Sequence, residues 1–208
     1  MPALRTPPPA HDAHLGFEAF VASRPDEEKW ELIDGHVIMQ ATPNIDHQII
    51  AGNLERLLND GIERIGAPRI AIQNAALDLR PAIEGHAYVP DVLVLDVADI
   101  APGRNVVRTG YAVAEIVSRS DRRFPSGQTR QKIAIKIDGY EGLATCEAIL
   151  MIEQAAFDVT VATRRDGAWV RRRFTDRDAR IVLPTLGLDC PLEALYARTS
   201  LVRAQGRV

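Results

Sequence analysis

The stretch Tyr88–Ser120, YVPDVLVLDVADIAPGRNVVRTGYAVAEIVSRS, decides the fold because it holds two short apolar runs that each carry one carboxylate. In the first run Asp91 precedes Val92–Leu95, and in the second Glu115 lies inside Ala112–Val117. Short apolar runs of this length are typical of buried strands. A buried carboxylate costs several kcal/mol unless a cation or a hydrogen bond compensates it. The two runs therefore predict neighbouring strands whose carboxylates share a cation.

Length and composition predict an ordinary globular protein. The 208 residues fit one domain, which we expect over residues 15–196, with a flexible N-terminal arm over 1–14 and a C-terminal tail over 197–208. Apolar residues make up 46% of the chain, enough for a sizeable core. The sequence lacks the run of about 18 apolar residues that a membrane span needs, and its N-terminus lacks the apolar middle of a signal peptide. We expect a cytoplasmic protein with no membrane partner.

Charge and cysteine content restrict the function further. A net charge of −3 excludes a strong global attraction to nucleic acid or anionic lipid, so binding to nucleic acid would depend on local basic patches. The two cysteines are too few for a disulfide scaffold and lack the spacing of metal ligands. The cysteine content favours a reduced, cytoplasmic protein.

The predicted secondary structure mixes helices and strands without regular βαβ alternation. In chain order the predicted elements are a helix over Leu15–Ser23, a hairpin over Trp30–Met39, a helix over Asp46–Ile65 ended by Gly66, a strand over Arg69–Arg80 with a bend at Asn74, the two central strands, a helix over Ser126–Gly139, strands over Glu147–Glu153, Phe157–Thr163, Ala168–Phe174 and Ile181–Leu183, and a helical turn over Pro191–Tyr196. The last dozen residues are expected to fray. This order predicts a mixed α/β (α+β) fold, with helices on the faces of a central sheet.

The two carboxylates indicate a specific chemistry if their strands are neighbours. Asp91 and Glu115 can then converge on one hard divalent cation, Mg²⁺ or Mn²⁺, with the backbone carbonyl of Ile116 as a third ligand. Such a cation polarises a phosphate and lowers the pKa of bound water, and a nearby lysine would stabilise the developing negative charge. The alternative is structural, because Pro-Asp before a strand is often a turn and a lone glutamate in a strand often faces water.

The sequence also resembles a known family. The segments Trp30–Gly35 (WELIDG), Pro90–Val92 (PDV) and Ala114–Ser118 (AEIVS), followed by a lysine-bearing helix that ends near Tyr140, resemble the Uma2 family of the PD-(D/E)XK nuclease superfamily. The resemblance runs in order over about residues 15–196. It implies a restriction-endonuclease-like central mixed sheet flanked by helices and a metal-dependent cleavage of phosphodiester bonds. Fold and active-site geometry transfer within such a family better than biological role.

The resemblance assigns roles to the two carboxylates. Asp91 matches the aspartate of the PD half-motif, and Glu115 matches the acidic residue of the second half-motif. In the parent motif a lysine stands two residues after that carboxylate, whereas Val117 occupies this position here. In sequences of this family the lysine comes instead from the following helix.

The same resemblance supplies the remaining candidates. Lys136 lies four residues before Tyr140, as the family lysine does, and Lys132, one turn earlier, is its substitute. Glu31 matches the glutamate of the family's ELIDG motif, and His47 falls where the family tends to have histidine. The alternatives are solvated helix lysines, an exposed hairpin glutamate and a helix-capping histidine. The predicted catalytic residues are Asp91, Glu115, Lys136, Glu31 and Lys132, and the predicted metal ligands are Asp91, Glu115 and Ile116.

One loop departs from the family pattern. After Ser118 the family usually continues with Pro-Ser, but residues Arg119–Pro125 read RSDRRFP here. Arg119, Arg122 and Arg123 add a basic cluster that either holds a phosphate backbone or is simply solvated.

Two functions remain open at this point. The first is a Mg²⁺-dependent endonuclease acting on DNA, and the resemblance implies a homodimer. The second is a catalytically silent module of the same fold that binds nucleic acid or a protein partner, which the altered loop and the absent strand lysine favour. An enzyme of another class has little support, because the sequence contains no Gly-rich phosphate loop, no Gly-x-Ser-x-Gly and no His-Glu-x-x-His.

Overall fold

The computed structural model describes residues 13–25, 28–80, 83–104, 106–125 and 129–205. Within these ranges the chain forms five α-helices and thirteen β-strands. The helices are α1 Ala13–Ala22, α2 Ile45–Ile65, α3 Lys132–Gly142, α4 Leu192–Leu195 and α5 Ser200–Gln205. The strands are β1 Trp30–Ile33, β2 His36–Met39, β3 Arg69–Ile72, β4 Ala76–Asp78, β5 Ala87–Tyr88, β6 Val92–Asp96, β7 Val106–Val107, β8 Ala112–Val117, β9 Ala148–Glu153, β10 Val159–Arg165, β11 Ala168–Phe174, β12 Arg180–Leu183 and β13 Leu188–Pro191.

Two mixed sheets and a separate two-stranded ribbon make up the β structure. The larger sheet has the strand order β11-β10-β9-β8-β6-β3 and is antiparallel except between β8 and β9. The second sheet has the order β2-β1-β5-β4-β7, and β12 pairs with β13. The predicted mixed α+β fold is confirmed. The two central strands, β6 and β8, are direct neighbours, as the sequence predicts.

Helix α2 covers one face of the larger sheet. Its first turn is capped by the side chain of Asn44, which accepts a hydrogen bond from the His47 N–H at 2.9 Å, and it ends at Gly66, which has the left-handed φ of 66° expected of a C-cap. Its apolar stripe packs against the even-numbered residues of β6 and β8. The buried residues of this contact include Ile50, Leu54, Leu58, Val92, Val94, Ala112, Ala114 and Ile116.

Helix α3 covers the opposite face of the same sheet. A second core contains its residues Ile133, Ile137 and Tyr140 together with the odd-numbered β8 residues Val113 and Val117. Side chains alternate between the two faces of a strand, so Glu115 points to the α3 side. Helix α3 also approaches the second sheet closely, at a position where the helix carries a glycine.

That glycine is Gly139, which faces the second sheet. A Cβ atom at this position would lie 2.7 Å from Cε2 of Tyr88, far inside a van der Waals contact. Only glycine therefore lets α3 come this close to β5. The approach brings the lysines of α3 to the carboxylates of the neighbouring strands.

The stretch Arg69–Arg80, predicted as one strand with a bend at Asn74, forms two separate strands that meet at that bend. The backbone of Asn74 is left-handed, with a φ of 64°, which interrupts the extended chain. The part before Asn74 is β3, which pairs with β6, and the part after it is β4, which joins the second sheet. One apolar stretch therefore serves two sheets.

Two other predicted boundaries differ from the structure. Helix α3 begins at Lys132 because Gln131 is extended, with φ −65° and ψ 147°, so the prediction that it begins at Ser126 is wrong; residues 126–128 lie outside the described residues. The segment expected to fray contains α5 over Ser200–Gln205. The predicted arm over residues 1–14 lies almost wholly outside the described residues.

In the described ranges, none of the helices has both the length and the apolar character needed to cross a membrane.

Candidate functional site

The two predicted carboxylates lie opposite each other on adjacent strands. The register of β6 and β8 pairs Val92 with Ala114, which sets Asp91 across from Glu115. Asp91 Oδ2 accepts a hydrogen bond from the backbone N–H of Ile116 at 2.7 Å, which fixes the aspartate against β8. Directly opposed residues of an antiparallel pair have Cβ atoms about 4.5–5.5 Å apart. Both carboxylates line one cleft of about 950 Å³.

Glu115 is almost completely buried and holds two donors on one oxygen. Its Oε1 lies 2.6 Å from Lys136 Nζ and accepts a hydrogen bond from the hydroxyl of Tyr140 at 2.5 Å. Its Oε2 accepts no hydrogen bond from any residue that the structure describes. Burial raises the pKa of Glu115 to about 7; the charge of Lys136 opposes this rise, while Asp91 and Glu31 add to it. Glu115 therefore retains a proton more readily than an exposed glutamate does.

Glu31 is fully buried behind the cleft and connects the two lysines. Its Oε1 lies 2.8 Å from Lys136 Nζ and accepts the N–H of Val89 at 3.1 Å, and its Oε2 lies 2.8 Å from Lys132 Nζ. Burial raises the pKa of Glu31, but the charges of Lys136 and Lys132 outweigh it and lower the pKa to about 2. Glu31 is therefore ionised at neutral pH, and because its side chain is buried, the alternative of an exposed hairpin residue is wrong.

The two lysines of α3 both point into the site. The side chain of Lys136 is 1% exposed; burial lowers its pKa, but Glu115 and Glu31 outweigh burial and raise the pKa well above its usual value. The side chain of Lys132 is 15% exposed, and its Nζ also lies 3.8 Å from Asp121 Oδ1. Neither is a solvated helix residue, because a spacing of four places both on one helix face over the carboxylates.

His47 faces the cleft as well as belonging to the first turn of α2. Its Nε2 lies 2.9 Å from Asp91 Oδ1, and its backbone N–H is the group that Asn44 caps. Asn44, not His47, caps the helix, so of the two alternatives left open by the sequence the structure supports the one in which His47 faces the cleft. The imidazole and the Ile116 N–H together hold Asp91 in one orientation.

Only some of the arginines in the basic loop Arg119–Pro125 line the cleft. Arg119 and Arg122 line it, whereas Arg123 does not. Arg122 forms an ion pair with Glu153, and Arg119 forms none with the described residues.

Sequence reasoning missed the part played by Tyr140, which it used only as a spacing marker. The ring of Tyr140 is fully buried, and its hydroxyl donates to Glu115. The spacing of four from Lys136 places Tyr140 on the helix face of the lysine, and this signal could have identified it.

The donor set fits a hard cation that keeps most of its water. Among the described residues no group of three or more His, Cys, Asp or Glu side chains is arranged to hold a metal ion, so the site is not a closed cage. Mg²⁺ is usually held by one or two carboxylates together with waters and substrate phosphates. Asp91 and Glu115 supply two carboxylates on one cleft wall, and Glu115 Oε2 has no competing hydrogen bond among the described residues.

A mixed sheet covered by helices on both faces, with Asp91 and Glu115 opposed on neighbouring strands at a cleft, is the arrangement that the family resemblance implies. The chain belongs to the Uma2 family, whose model is described as "Putative restriction endonuclease" and matches residues 17–193.

Solved structures agree on the fold. A crystal structure from Anabaena variabilis ATCC 29413, described as "a putative nuclease belonging to DUF820", superposes with a TM-score of 0.65 at 16% identity. The match covers 86% of this chain and 96% of that one. Among curated proteins, none matches this chain.

Proposed function

We propose that this protein is a metal-dependent endonuclease that hydrolyses phosphodiester bonds in DNA. The observation that carries the proposal is the opposition of Asp91 and Glu115 across β6 and β8 at one cleft, with the charged Lys136 on Glu115. Membership of a family whose description reads "Putative restriction endonuclease" supports nuclease chemistry in general. The metal, the DNA substrate and the residue roles belong to the proposal.

Asp91 and Glu115 would hold Mg²⁺ or Mn²⁺, with the Ile116 carbonyl as a further ligand. When bound, the ion polarises the phosphate and lowers the pKa of a water nucleophile. The Ile116 N–H and His47 orient Asp91, and such outer partners commonly determine the affinity of a site for its metal.

The two lysines have different roles in this proposal. Lys136 touches Glu115 and Glu31 and is nearly inaccessible, so it neutralises the carboxylates and keeps Glu115 aimed at the cleft. Lys132 is closer to solvent and lines the same cleft, so it orients the attacking water and stabilises negative charge on the phosphate. Glu31 is a positioning residue, because it holds both ammonium groups and lies behind them.

The test is calorimetric binding of Mg²⁺ and Mn²⁺ beside a plasmid-nicking assay. Wild type should bind the ion and nick DNA, and Asp91→Ala should lose both. Asp60→Ala, a matched change at an exposed position of α2, should lose neither. Absence of ion binding in wild type would refute the metal site and leave only the fold.

A second candidate is a catalytically silent module of the same fold. The observations that favour it are the loop Arg119–Pro125, which departs from the family, and Val117 at the position of the strand lysine. Ion binding without cleavage of any nucleic acid would select this second function. The homodimer implied by the family resemblance remains a prediction for either function.

A further inference from the structure

Glu115 belongs to a row of paired residues that crosses the larger sheet from β8 to the edge strand β11. The registers pair Glu115 with Met151, Met151 with Thr160, and Thr160 with Arg173, from β8 across β9 and β10 to β11. Residues paired in register point to the same face of a sheet. With strands about 4.8 Å apart, Met151 lies about 5 Å and Thr160 about 10 Å from the strand position of Glu115.

The row that contains Met151 and Thr160 is not covered by helix α3, whereas the adjacent row on the same face is. In the adjacent row on the same face of the sheet, two residues away along each strand, Val113, Ile149 and Ala162 are buried beneath α3. At Met151 the first turn of α3 ends the cover, and a pocket of about 350 Å³ opens on the sheet. Its apolar floor is formed by Val117, Ile133 and Met151, and its polar rim by Arg122, Glu153, Asp158, Thr160 and Arg173.

The pocket is an extension of the candidate active-site cleft. Val117, Arg122 and Glu153 line both spaces. A polymer whose phosphate lies at Asp91 and Glu115 could therefore place a neighbouring unit over Met151 without leaving the protein surface.

The rim of the pocket is electrically balanced. Arg122 forms an ion pair with Glu153, and Arg173 binds Asp158 with two hydrogen bonds, of 2.8 and 2.7 Å. A phosphate entering here would meet two carboxylates besides the two guanidinium groups. A neutral, planar heterocycle would instead find donors and acceptors around an apolar floor. Nucleobase edges present both donors and acceptors, and an extruded base is held by apolar side chains together with such hydrogen bonds.

We infer that this pocket binds an unpaired nucleobase beside the phosphate that is cleaved, so that the substrate class is single-stranded nucleic acid or a duplex with an extruded nucleotide. The inference rests on the proposed function for the position of the phosphate. A base inside a continuous duplex is stacked and paired and has to leave the helix before it can enter such a pocket.

The test compares three forms of one short fluorescein-labelled DNA oligonucleotide by fluorescence anisotropy, in EDTA so that no metal is present. The forms are the single strand, its perfect duplex, and a single strand of abasic units with the same number of phosphates. The single strand should bind about tenfold more tightly than either of the others, because only the single strand can place a base in the pocket without first unpairing it. Equal binding of the base-bearing and abasic strands, or of strand and duplex, would overturn the inference.

A variant locates the effect in the pocket. Met151→Ala shortens one of the three floor side chains and should weaken binding of the base-bearing strand about fivefold while leaving binding of the abasic strand unchanged. Met39→Ala, the same change at an exposed position of β2, should alter neither. An equal loss for both strands in Met151→Ala would overturn the assignment, and if this variant does not fold, the wild-type comparison decides alone. Cleavage with Mg²⁺ is measured separately, so a failure of the proposed function appears there and not in the metal-free binding.

Discussion

The ammonium group of Lys136 lies 2.6 Å from Glu115 Oε1 although both side chains are almost wholly buried. Glu31, also buried, lies 2.8 Å from the same ammonium group, so one lysine neutralises carboxylates from two sheets. A buried charge without its partner is far more costly than the pair is stabilising. This cluster therefore joins β1, β8 and α3 at the point where the cleft opens.

The first prediction concerns the stability of this cluster. Lys136→Met should lower the free energy of unfolding by about 3–5 kcal/mol, because it leaves Glu31 and Glu115 buried with less compensation. Lys132→Met, the same change one turn earlier at a more exposed side chain, should cost clearly less. Urea denaturation of both variants measures the difference. Equal losses would show that Lys136 has no special part in the cluster.

The activities of the same two variants should show a different order if the proposed division of work holds. Lys132→Met, which removes the more accessible ammonium group, should lower the nicking rate by about 10²-fold or more, the scale of losing one group that stabilises transition-state charge. Metal affinity should change little, since Lys132 does not contact Asp91 or Glu115. Unchanged nicking by folded Lys132→Met would return the role of assisting lysine to Lys136.

A second prediction concerns Tyr140, which donates to the carboxylate proposed as a metal ligand. Tyr140→Phe should weaken Mg²⁺ binding about 10–100-fold, the usual effect of losing an outer hydrogen bond that orients a ligand. Tyr88→Phe is the matched control, because this neighbouring buried tyrosine bonds to His86 instead. Calorimetry that finds equal Mg²⁺ affinity in Tyr140→Phe and wild type would remove Tyr140 from the site.

The sequence predicts the chemistry of the site better than the arrangement of the sheets. Asp91 and Glu115 are conspicuous because each interrupts an apolar run, and that conflict by itself indicates a compensating group nearby. The sequence indicates a bend at Asn74, but it does not indicate that the two halves of Arg69–Arg80 join different sheets. Local pattern does not say which sheet a strand joins, since this depends on contacts between distant residues.

The pocket on the sheet could not have been predicted for the same reason. Met151 and Thr160 are unremarkable residues of two strands, and only the pairing registers place them in one row with Glu115. Likewise, the sequence identifies Glu31 as a candidate by family resemblance alone. Its buried contacts with Val89, Lys132 and Lys136 join residues that are distant in the sequence.

A third prediction concerns pH and Asp78, which lies away from the cleft. Burial raises the pKa of Asp78, but hydrogen bonds from the side chain and backbone of Arg80 and from Arg108 outweigh it, so the net pKa is lowered. A carboxyl with a lowered folded-state pKa stabilises the protein above its unfolded pKa of about 3.9, and this stability is lost as the pH falls through the folded value. Acid should therefore destabilise the wild type in part through Asp78.

The measurement is urea denaturation between neutral pH and about pH 3, the range around the unfolded pKa of aspartate. Asp78→Asn should be less stable than wild type at neutral pH and should lose less stability on acidification. Asp60→Asn, at an exposed position, should follow wild type. If the stability of Asp78→Asn fell with pH as much as that of wild type, other carboxyl groups would account for the loss of stability in acid.

The last prediction concerns the basic loop at the cleft. Arg119 lines the cleft and forms no ion pair with the residues that the structure describes, so its guanidinium is available to a phosphate. Removal of one contact between a basic side chain and a phosphate reduces the steepness of the plot of log affinity against log salt concentration by about one. Arg119→Gln should therefore bind a DNA oligonucleotide more weakly and with a shallower salt dependence.

Arg123→Gln is the matched control for Arg119→Gln, because it removes an equal charge from the same loop at a position that does not line the cleft. A loss confined to Arg119→Gln would assign the phosphate contact to the cleft wall. If both variants lost affinity equally, the loop would act only through its total charge, and DNA would not be held at the wall beside Asp91 and Glu115. Because the net charge of the chain is −3, the attraction has to be local, and a contact at Arg119 would provide it next to the carboxylates.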